Sequence, residues 1–191
     1  TRAMQFTLKN LQSIDLELWV IGLSTLYHPF SPDRWPKEID QERLLMVPVN
    51  TKVKWWMVFH LLFGQNPFQL WRFGRTSPHQ KIKVQAFWDA IAPDLVIWDG
   101  LPATWWRGMV KMGAEVREIY RSHNIEHKVY GALWQRKKNP ITKAILLKEN
   151  RRLGNYEEDL WKGVHEVWSI SAVDHREIAW HKEVKSTYWP T

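Results

Sequence analysis

Short apolar segments of strand length alternate with longer helical segments along this chain. The clearest strand segment is DLVIWDG (Asp94–Gly100), which follows Pro93 and is rich in β-branched and aromatic residues. The clearest helical segment precedes it, because Gln80–Ile91 carries apolar residues at helical spacing. Strands that alternate with helices pair mostly in parallel, since each parallel pair needs a long crossover connection. We therefore predict an α/β fold in which helices flank a mostly parallel sheet.

The other predicted elements continue this alternation. Pro48 lies near the end of one apolar segment and places it at a sheet edge or ends it early, because proline has no N–H to donate. The helix over Thr51–Phe63 is apolar on most sides, so we expect it to be buried. Strands are predicted over Asp15–Leu23, Arg43–Val49, Asp94–Gly100, Ala114–Tyr120 and Glu166–Ser171, and helices over Thr1–Leu11, Thr51–Phe63, Gln80–Ile91, Ala103–Met112, a long stretch after Glu126 with a break at Pro140, and Asp174–Lys185.

The composition is that of one globular domain spanning residues 1–191. Hydrophobic residues make up 45% of the 191 and charged residues 25%, and no apolar run reaches the roughly 18 residues that span a bilayer. The sequence opens without a signal-like segment, so we expect a cytoplasmic protein. It has no cysteine, which excludes disulfides, thiolate metal sites and a cysteine nucleophile. Most of the 14 tryptophans are expected to fill the core, although the pairs Trp55–Trp56 and Trp105–Trp106 could line a sugar or lipid site.

The net charge of +7 would attract nucleic acid, anionic lipid or phosphate-bearing ligands. Dense basic clusters occur only at Trp134–Pro140 and Lys148–Arg152, and the charge is otherwise scattered. Both clusters are interpreted first as solvated helix ends and second as contacts to phosphate or to a membrane surface. Since no compact basic stripe is evident, we expect no specific nucleic-acid partner.

The standard signatures of several enzyme classes are absent from the sequence. There is no complete glycine fingerprint for dinucleotides, no phosphate-binding loop, no His-Glu-x-x-His zinc motif and no nucleophile elbow. His123 and His127 are four residues apart and would share a helix face, but a zinc site needs a third protein ligand that the sequence does not offer. We therefore predict no metal.

Polar and small residues follow the predicted strands, where parallel α/β sheets bind their ligands. A buried Asp99 must be paired or hydrogen-bonded, and it either holds the next loop or touches substrate. Asn124 could cap the following helix, and Ser171 forms a capping pattern with Asp174. His123 has no comparably simple structural role. The candidate ligand contacts at these strand ends are Asp99, Gly100, His123, Asn124 and Ser171.

The long connection Phe63–Gln80 contains Arg72 and Arg75 beside aromatic residues. A basic and aromatic loop of this kind can bind a phosphate or the face of a sugar, and loops of this length are often functional. An ordinary surface loop is the alternative.

Three segments together resemble a known family. PDLVIWDG, REIYRSHNIEHKVY and VHEVWSISAVDHREI occur in the order and spacing of the N-terminal half of GT-B glycosyltransferases, and most closely resemble the retaining family 4 type. NPFQLWRF is similar to a loop of the same family, and the resemblance covers roughly Asp15 to Pro190. It implies a Rossmann-like domain, transfer of a sugar from a nucleotide-sugar to an acceptor hydroxyl with retention, and no metal. It further implies that His123 lies near the transferred sugar and its phosphate, that Asp99 helps to shape the acceptor site, and that Glu126 anchors structure.

The sequence departs from this family in two respects. The family's first strand with its glycine-rich loop is absent, and so is the second Rossmann-like half that binds the nucleotide-sugar. We therefore expect an acceptor-side domain that is inactive alone, with a nucleotide-sugar donor, a glycan or lipid-linked acceptor and the C-terminal half as partners. Charge and resemblance together also suggest a peripheral contact with the inner face of a membrane. The alternative is a non-catalytic α/β module that binds a glycan or a protein.

Overall fold

The computed structural model of this chain describes residues 16–25 and 40–190. The predicted helix Thr1–Leu11 and the first residue of the predicted strand Asp15–Leu23 lie outside these ranges. Strands and helices alternate through the described part, and every strand pairing in it is parallel. The structure confirms the predicted α/β fold, with parallel sheets flanked by helices in a Rossmann-like arrangement.

The strands form two parallel sheets. The smaller sheet pairs β1 (Val20–Ser24) with β2 (Leu44–Pro48), and Pro48 is the last residue of its strand, as its missing N–H predicts. The larger sheet has four strands in the order of the chain. They are β3 (Leu95–Asp99), β4 (Arg117–Ser122), β5 (Glu166–Ser169) and β6 (Ser186–Tyr188).

Six α-helices and four short 3₁₀ segments connect the strands of the described part. Pro140, predicted as a break, is the first residue of a helix that Asn139 caps by accepting a hydrogen bond from the Thr142 N–H at 3.0 Å. The helices are α1 (Val58–Phe63), α2 (Phe68–Trp71), α3 (Pro78–Ile91), α4 (Glu126–Gln135), α5 (Pro140–Gly163) and α6 (Ala172–Ile178). The 3₁₀ segments are Gln41–Arg43, Trp55–Met57, Arg72–Gly74 and Leu101–Gly108.

A single cluster of buried apolar side chains joins the two sheets to the helices. Trp88 of α3 stacks on Trp98 of β3 with ring centroids 6.3 Å apart, as expected for core-filling tryptophans. Leu153 of α5 and Val167 of β5 are among its most deeply buried members. The buried tryptophans are Trp88, Trp98, Trp106, Trp134 and Trp161.

Two predicted helices end differently in the structure. The predicted helix Ala103–Met112 is instead the 3₁₀ segment Leu101–Gly108, in which the Thr104 hydroxyl donates to the Leu101 carbonyl at 2.7 Å. The last helix ends at Ile178 rather than Lys185, because the chain then turns to add β6 to the edge of β5. That pairing satisfies backbone groups that a longer helix would leave open at the sheet edge.

The prediction of a buried helix over Thr51–Phe63 was wrong. The α-helix begins only at Val58, and none of the residues of α1 is buried. Two contacts hold it: His60 stacks on Trp71 with ring centroids 3.8 Å apart, and Arg152 of α5 donates to the carbonyls of Leu61 and Leu62 at 3.0 and 3.1 Å. These carbonyls belong to the last turn of α1, where a cation is favourable.

A buried carboxylate of α5 fixes the segment that follows α1. Glu149 is fully buried and accepts a hydrogen bond from the Phe68 N–H at the start of α2. It also pairs with Arg152 at 3.2 Å. Burial outweighs these contacts and raises the pKa of Glu149 from its ordinary 4.5 to about 7.

We predict that Glu149 makes folding less favourable as the pH rises from about 4.5 to about 7. In that window the folded chain holds a proton that the unfolded chain has lost, so the free energy of unfolding falls by roughly 3 kcal/mol. Glu149→Gln keeps an acceptor for Phe68 but removes the titration, so its unfolding should lose this dependence. Urea unfolding across that pH range measures it. Asp159→Asn, an exposed change on the same helix, should keep the wild-type slope, and an equal slope in Glu149→Gln would contradict the prediction.

Candidate functional site

Polar side chains meet at the carboxyl ends of β3 and β4. Asp99 is the last residue of β3 and lies in register with Arg121 of β4. Strand β4 runs over Arg117–Ser122 rather than the predicted Ala114–Tyr120, so Arg121 and Ser122 are strand residues and His123 follows directly. The structure thus brings together Asp99 and His123, as the sequence predicted, and adds Arg121.

One carboxylate oxygen of Asp99 accepts two hydrogen bonds. The Asp99 Oδ1 atom is 2.6 Å from Arg121 Nη1 and 2.7 Å from His123 Nε2. Because a carboxylate only accepts, His123 must carry a proton on Nε2. The 3.0 Å separation of Arg121 Nη1 and His123 Nε2 then follows from two donors that converge on the same oxygen. This arrangement fixes the orientation of the imidazole and leaves its Nδ1 available as an acceptor in the neutral ring.

Asp99 stays ionised in this cluster. Burial raises the pKa of Asp99, but the hydrogen bonds and charges of His123 and Arg121 together outweigh burial and hold this pKa below its ordinary value. Arg121 is fully buried and would be an uncompensated charge without the carboxylate. The carboxylate is therefore first a partner for Arg121 and second an anchor for the imidazole.

Gly100 provides the turn on which the His123 ring lies. Its φ of +79° is in the region that side chains rarely adopt, so a substitution there would be strained. The Gly100 N–H donates to the Arg121 carbonyl at 3.0 Å, which extends the pairing of β3 and β4 by one bond. A Cβ atom at Gly100 would stand 3.8 Å from His123 Nδ1. That distance is an ordinary van der Waals contact, so the backbone conformation, and not lack of space, favours glycine here.

Arg121 has more donors than Asp99 uses. Its Nε and Nη2 atoms are buried and have no hydrogen-bond partner among the described residues. Unsatisfied buried donors carry a free-energy cost, and charged donors cost most. They give this end of the sheet a positive character directly behind His123.

The start of α4 is capped from a distant part of the chain. The buried carboxylate of Glu157, on α5, accepts the backbone N–H groups of Glu126 and His127 at 2.8 Å each. The expectation that Asn124 caps this helix was wrong, since the residue before the helix is Ile125 and makes no side-chain cap. Asn124 is exposed, and its side chain hydrogen-bonds that of Glu126.

His127 does not share a site with His123. Its Nδ1 lies 2.8 Å from the Glu157 carboxylate, and this hydrogen bond raises the pKa of His127. Within residues 16–25 and 40–190, no group of three His, Asp or Glu side chains could hold a metal ion. The two histidines of the motif therefore have separate roles, one at the strand ends and one in the α4 cap.

Ser171 has the capping role that its sequence pattern indicates. Its hydroxyl accepts the Asp174 N–H at 3.3 Å at the start of α6. It follows the end of β5, where Ser169 is in register with Ser122 of β4. Ser171 therefore lies at the same edge of the sheet as His123, two strands from Asp99.

The two arginines of the long connection have different surroundings. Burial and the charge of Glu126 raise the pKa of Tyr130 in α4, and the positive charge of Arg72 partly opposes this rise. Arg75 instead donates to the Lys52 carbonyl at 2.7 Å and lies over the Trp71 ring. The charge of Arg72 therefore acts on α4.

Gly74 fixes the position of this connection. A Cβ atom there would overlap the Trp105 indole at 1.6 Å, so only glycine permits the contact. Trp105 belongs to the 3₁₀ segment that follows Gly100. The connection is thereby packed against the loop that leaves the candidate site.

A pocket of about 370 Å³ lies at the opposite edge of the larger sheet. Trp88, Asp94, Lys111 and Val116 are among its lining residues, next to the amino ends of β3 and β4. Parallel sheets bind ligands at the carboxyl ends, so the functional assignment stays with the Asp99 cluster.

Comparison with protein-family models, with curated proteins and with solved structures returned no match. None of the described helices is both long and apolar enough to cross a membrane. Support for the candidate site therefore comes from the geometry of its residues.

Sequence reasoning missed Arg121 and Glu157. Arg121 directly follows the apolar pair Ile119–Tyr120 in a strand that also carries Arg117 and Glu118, and its register with Asp99 follows once β3 and β4 are paired. Glu157 gave no such signal, because it caps α4 from 30 residues further along the chain. Its contribution becomes apparent only when α4 and α5 are packed together.

We predict that Asp99→Asn destabilises the fold by roughly 3 kcal/mol, because it leaves the buried Arg121 without its counter-charge. Asp94→Asn is the matched control, since Asp94 is exposed and directly precedes the same strand. That control should change the free energy of unfolding by less than about 0.5 kcal/mol. Urea unfolding at neutral pH measures both variants. Equal stability of the two would show that Asp99 does not compensate Arg121.

Proposed function

We propose that this chain forms the acceptor-side half of a retaining GT-B glycosyltransferase cleft. The full enzyme would move a sugar from a nucleotide-sugar to an acceptor hydroxyl. The observation that supports this best is the Asp99–Arg121–His123 cluster at the carboxyl edge of the sheet. The His123 side chain is 27% exposed there, so a ligand can reach it.

His123 is the proposed catalytic residue. Held by Asp99 through Nε2, the neutral ring can accept a hydrogen bond from a sugar hydroxyl through Nδ1, and the charged ring can donate to a phosphate oxygen. Arg121 adds a fixed positive charge behind it. Transfer of this kind depends on positioning and on stabilising the departing diphosphate, which preorganised donors supply.

The remaining candidate ligand contacts surround this centre. Gly100 and Asn124 lie next to Asp99 and His123 in the chain, and Ser171 follows the neighbouring strand β5. Arg72 approaches from the long connection through its interaction with Tyr130. Arg75 stays in the proposal as a second basic residue of that connection, in a more remote position.

The proposal requires a second Rossmann-like half that binds the nucleotide-sugar, and it needs no metal or other cofactor. A glycan or a lipid-linked acceptor would bind on the side described above. A cytoplasmic location at the inner face of a membrane is part of the same proposal.

The second candidate function is a non-catalytic α/β module that binds a glycan or a protein. It is favoured by the number of aromatic side chains left exposed, such as Trp55 and Trp180. Aromatic faces and fixed polar groups bind sugars without any transfer step. This module would bind glycan with no turnover, even when a donor-binding half is supplied.

We predict that His123→Ala reduces sugar transfer by about 100-fold or more, since it removes the group that contacts the transferred sugar or its phosphate. The measurement is nucleotide release from a panel of nucleotide-sugars by the chain joined to a donor-binding half. His79→Ala, an exposed histidine at the start of α3, is the control and should keep full activity. Full transfer by His123→Ala would disprove the site assignment, provided that both variants melt at the wild-type temperature.

We predict that the 191-residue chain alone turns over no nucleotide-sugar at a measurable rate, because the groups that bind the diphosphate would lie in the other half. The same nucleotide-release assay tests this. Glycan binding without turnover in both forms of the protein would favour the non-catalytic module instead. Efficient turnover by the isolated chain would contradict the division of roles between two halves.

A further inference from the structure

Helix α1 and the turn before it present an apolar surface to solvent. Phe59 and Phe63 are four residues apart on one side of α1, and Trp55 lies in the 3₁₀ turn directly before it. Their exposed fractions are 83%, 59% and 76%. Single exposed apolar residues are ordinary on protein surfaces, but three large aromatic rings in one row are not. Val53 and Val58 extend the row, and these five residues are called the aromatic surface below.

Hydrogen bonds to backbone carbonyls attach α1 to α5. The Arg152 guanidinium and the Lys148 ammonium bond the carbonyls of Leu61 and Leu62, so α1 is fixed at its carboxyl end by α5. Of its side chains, His60 packs inward and stacks on Trp71 with ring centroids 3.8 Å apart, whereas Phe59 and Phe63 stay exposed. The rings of the aromatic surface are therefore available to an outside partner.

The segment of the chain that carries the aromatic surface has charges of one sign. Between Arg43 and Trp88 the chain has seven Lys and Arg residues and no Asp or Glu. The other 20 basic residues balance the 20 acidic residues, so this segment accounts for the whole net charge of +7. The net charge is therefore concentrated in this segment, although the two dense basic clusters of the sequence lie elsewhere. Lys52 and Lys54 are exposed just before Trp55, and Lys148 is exposed beside the end of α1.

We propose that the aromatic surface binds an anionic lipid membrane, with Lys52, Lys54 and Lys148 contacting lipid phosphates. Tryptophan and phenylalanine favour the boundary between lipid headgroups and acyl chains, and nearby lysines add attraction to anionic lipids. A second copy of this chain is a poor occupant, because it would bring two segments of the same positive sign together. This surface deepens the membrane location included in the proposed function, but none of its residues belongs to the Asp99 cluster. Loss of vesicle binding and loss of sugar transfer are therefore separate outcomes.

The test is sedimentation of the 191-residue chain with vesicles. One set is phosphatidylcholine alone, and the other contains phosphatidylglycerol as well. We expect binding to the anionic set that weakens as salt is added, because part of the attraction is screened. Absence of binding to the anionic vesicles would overturn the proposal, and so would equal binding to both sets.

Two variants locate the contact. Trp55→Ser, Phe59→Ser and Phe63→Ser combined should lower the partition coefficient by about tenfold or more, and so should Lys52→Glu with Lys54→Glu. Trp180→Ser is the control for an exposed tryptophan elsewhere on the chain, and Lys137→Glu with Lys138→Glu matches the change in net charge. Both controls should bind as the wild type does. Equal losses in variants and controls would show that overall charge or apolarity, and not this surface, attracts the vesicles.

Light scattering distinguishes a self-association surface. If the aromatic surface paired with a second copy, the wild type would be dimeric and the triple serine variant monomeric, with vesicle binding equal in both. That result would overturn the membrane proposal. Unchanged melting temperatures in all variants ensure that a loss of binding is not a loss of folding.

Discussion

The pairing of Arg121 with Asp99 is the interaction on which the candidate site depends. A guanidinium with no exposed surface is costly unless a carboxylate neutralises it, and the register of β3 and β4 supplies that carboxylate at 2.6 Å. The same oxygen also accepts a hydrogen bond from His123. The carboxylate that neutralises the buried guanidinium therefore also fixes the orientation of the imidazole. The proposed ligand-binding group is thereby positioned by an interaction that also neutralises a buried charge.

Helix α5 fixes the segments around the site in a similar way, through buried carboxylates. Its two buried carboxylates accept backbone N–H groups at the starts of two other helices, through Glu149 at α2 and Glu157 at α4. Helix starts leave such N–H groups without partners, and a carboxylate also suits the positive end of the helix dipole. One long helix thus fixes both the connection that carries Arg72 and the helix that follows His123.

The parts of the fold that local patterns encode could be predicted from the sequence. The strand at Asp94–Gly100 and the cap at Ser171 depend on neighbouring residues, and the structure has them where the patterns indicated. Asp99 and His123 were found because parallel sheets gather ligand groups at their strand ends. The glycosyltransferase activity itself stays a proposal.

The parts that could not be predicted depend on contacts between distant segments. Arg152 attaches α1 through its carbonyls, a contact that no local pattern of apolar residues can indicate. The early end of α6 follows from an open sheet edge that only the assembled strands create. Arg121 belongs to the same class, since its buried cation is explained only by the carboxylate of the strand that pairs with it.

The reliance of two helix starts on α5 has a consequence for the dynamics of the chain. The amide protons of Phe68, Glu126 and His127 are all held by carboxylates of one helix, although they belong to separate parts of the sequence. Any fluctuation that displaces α5 releases all three at once, whereas fraying of α2 or α4 alone releases only its own. In the absence of local fraying, these amides would exchange with solvent as one cooperative unit. The segment beside the aromatic surface and the helix beside His123 would then open together.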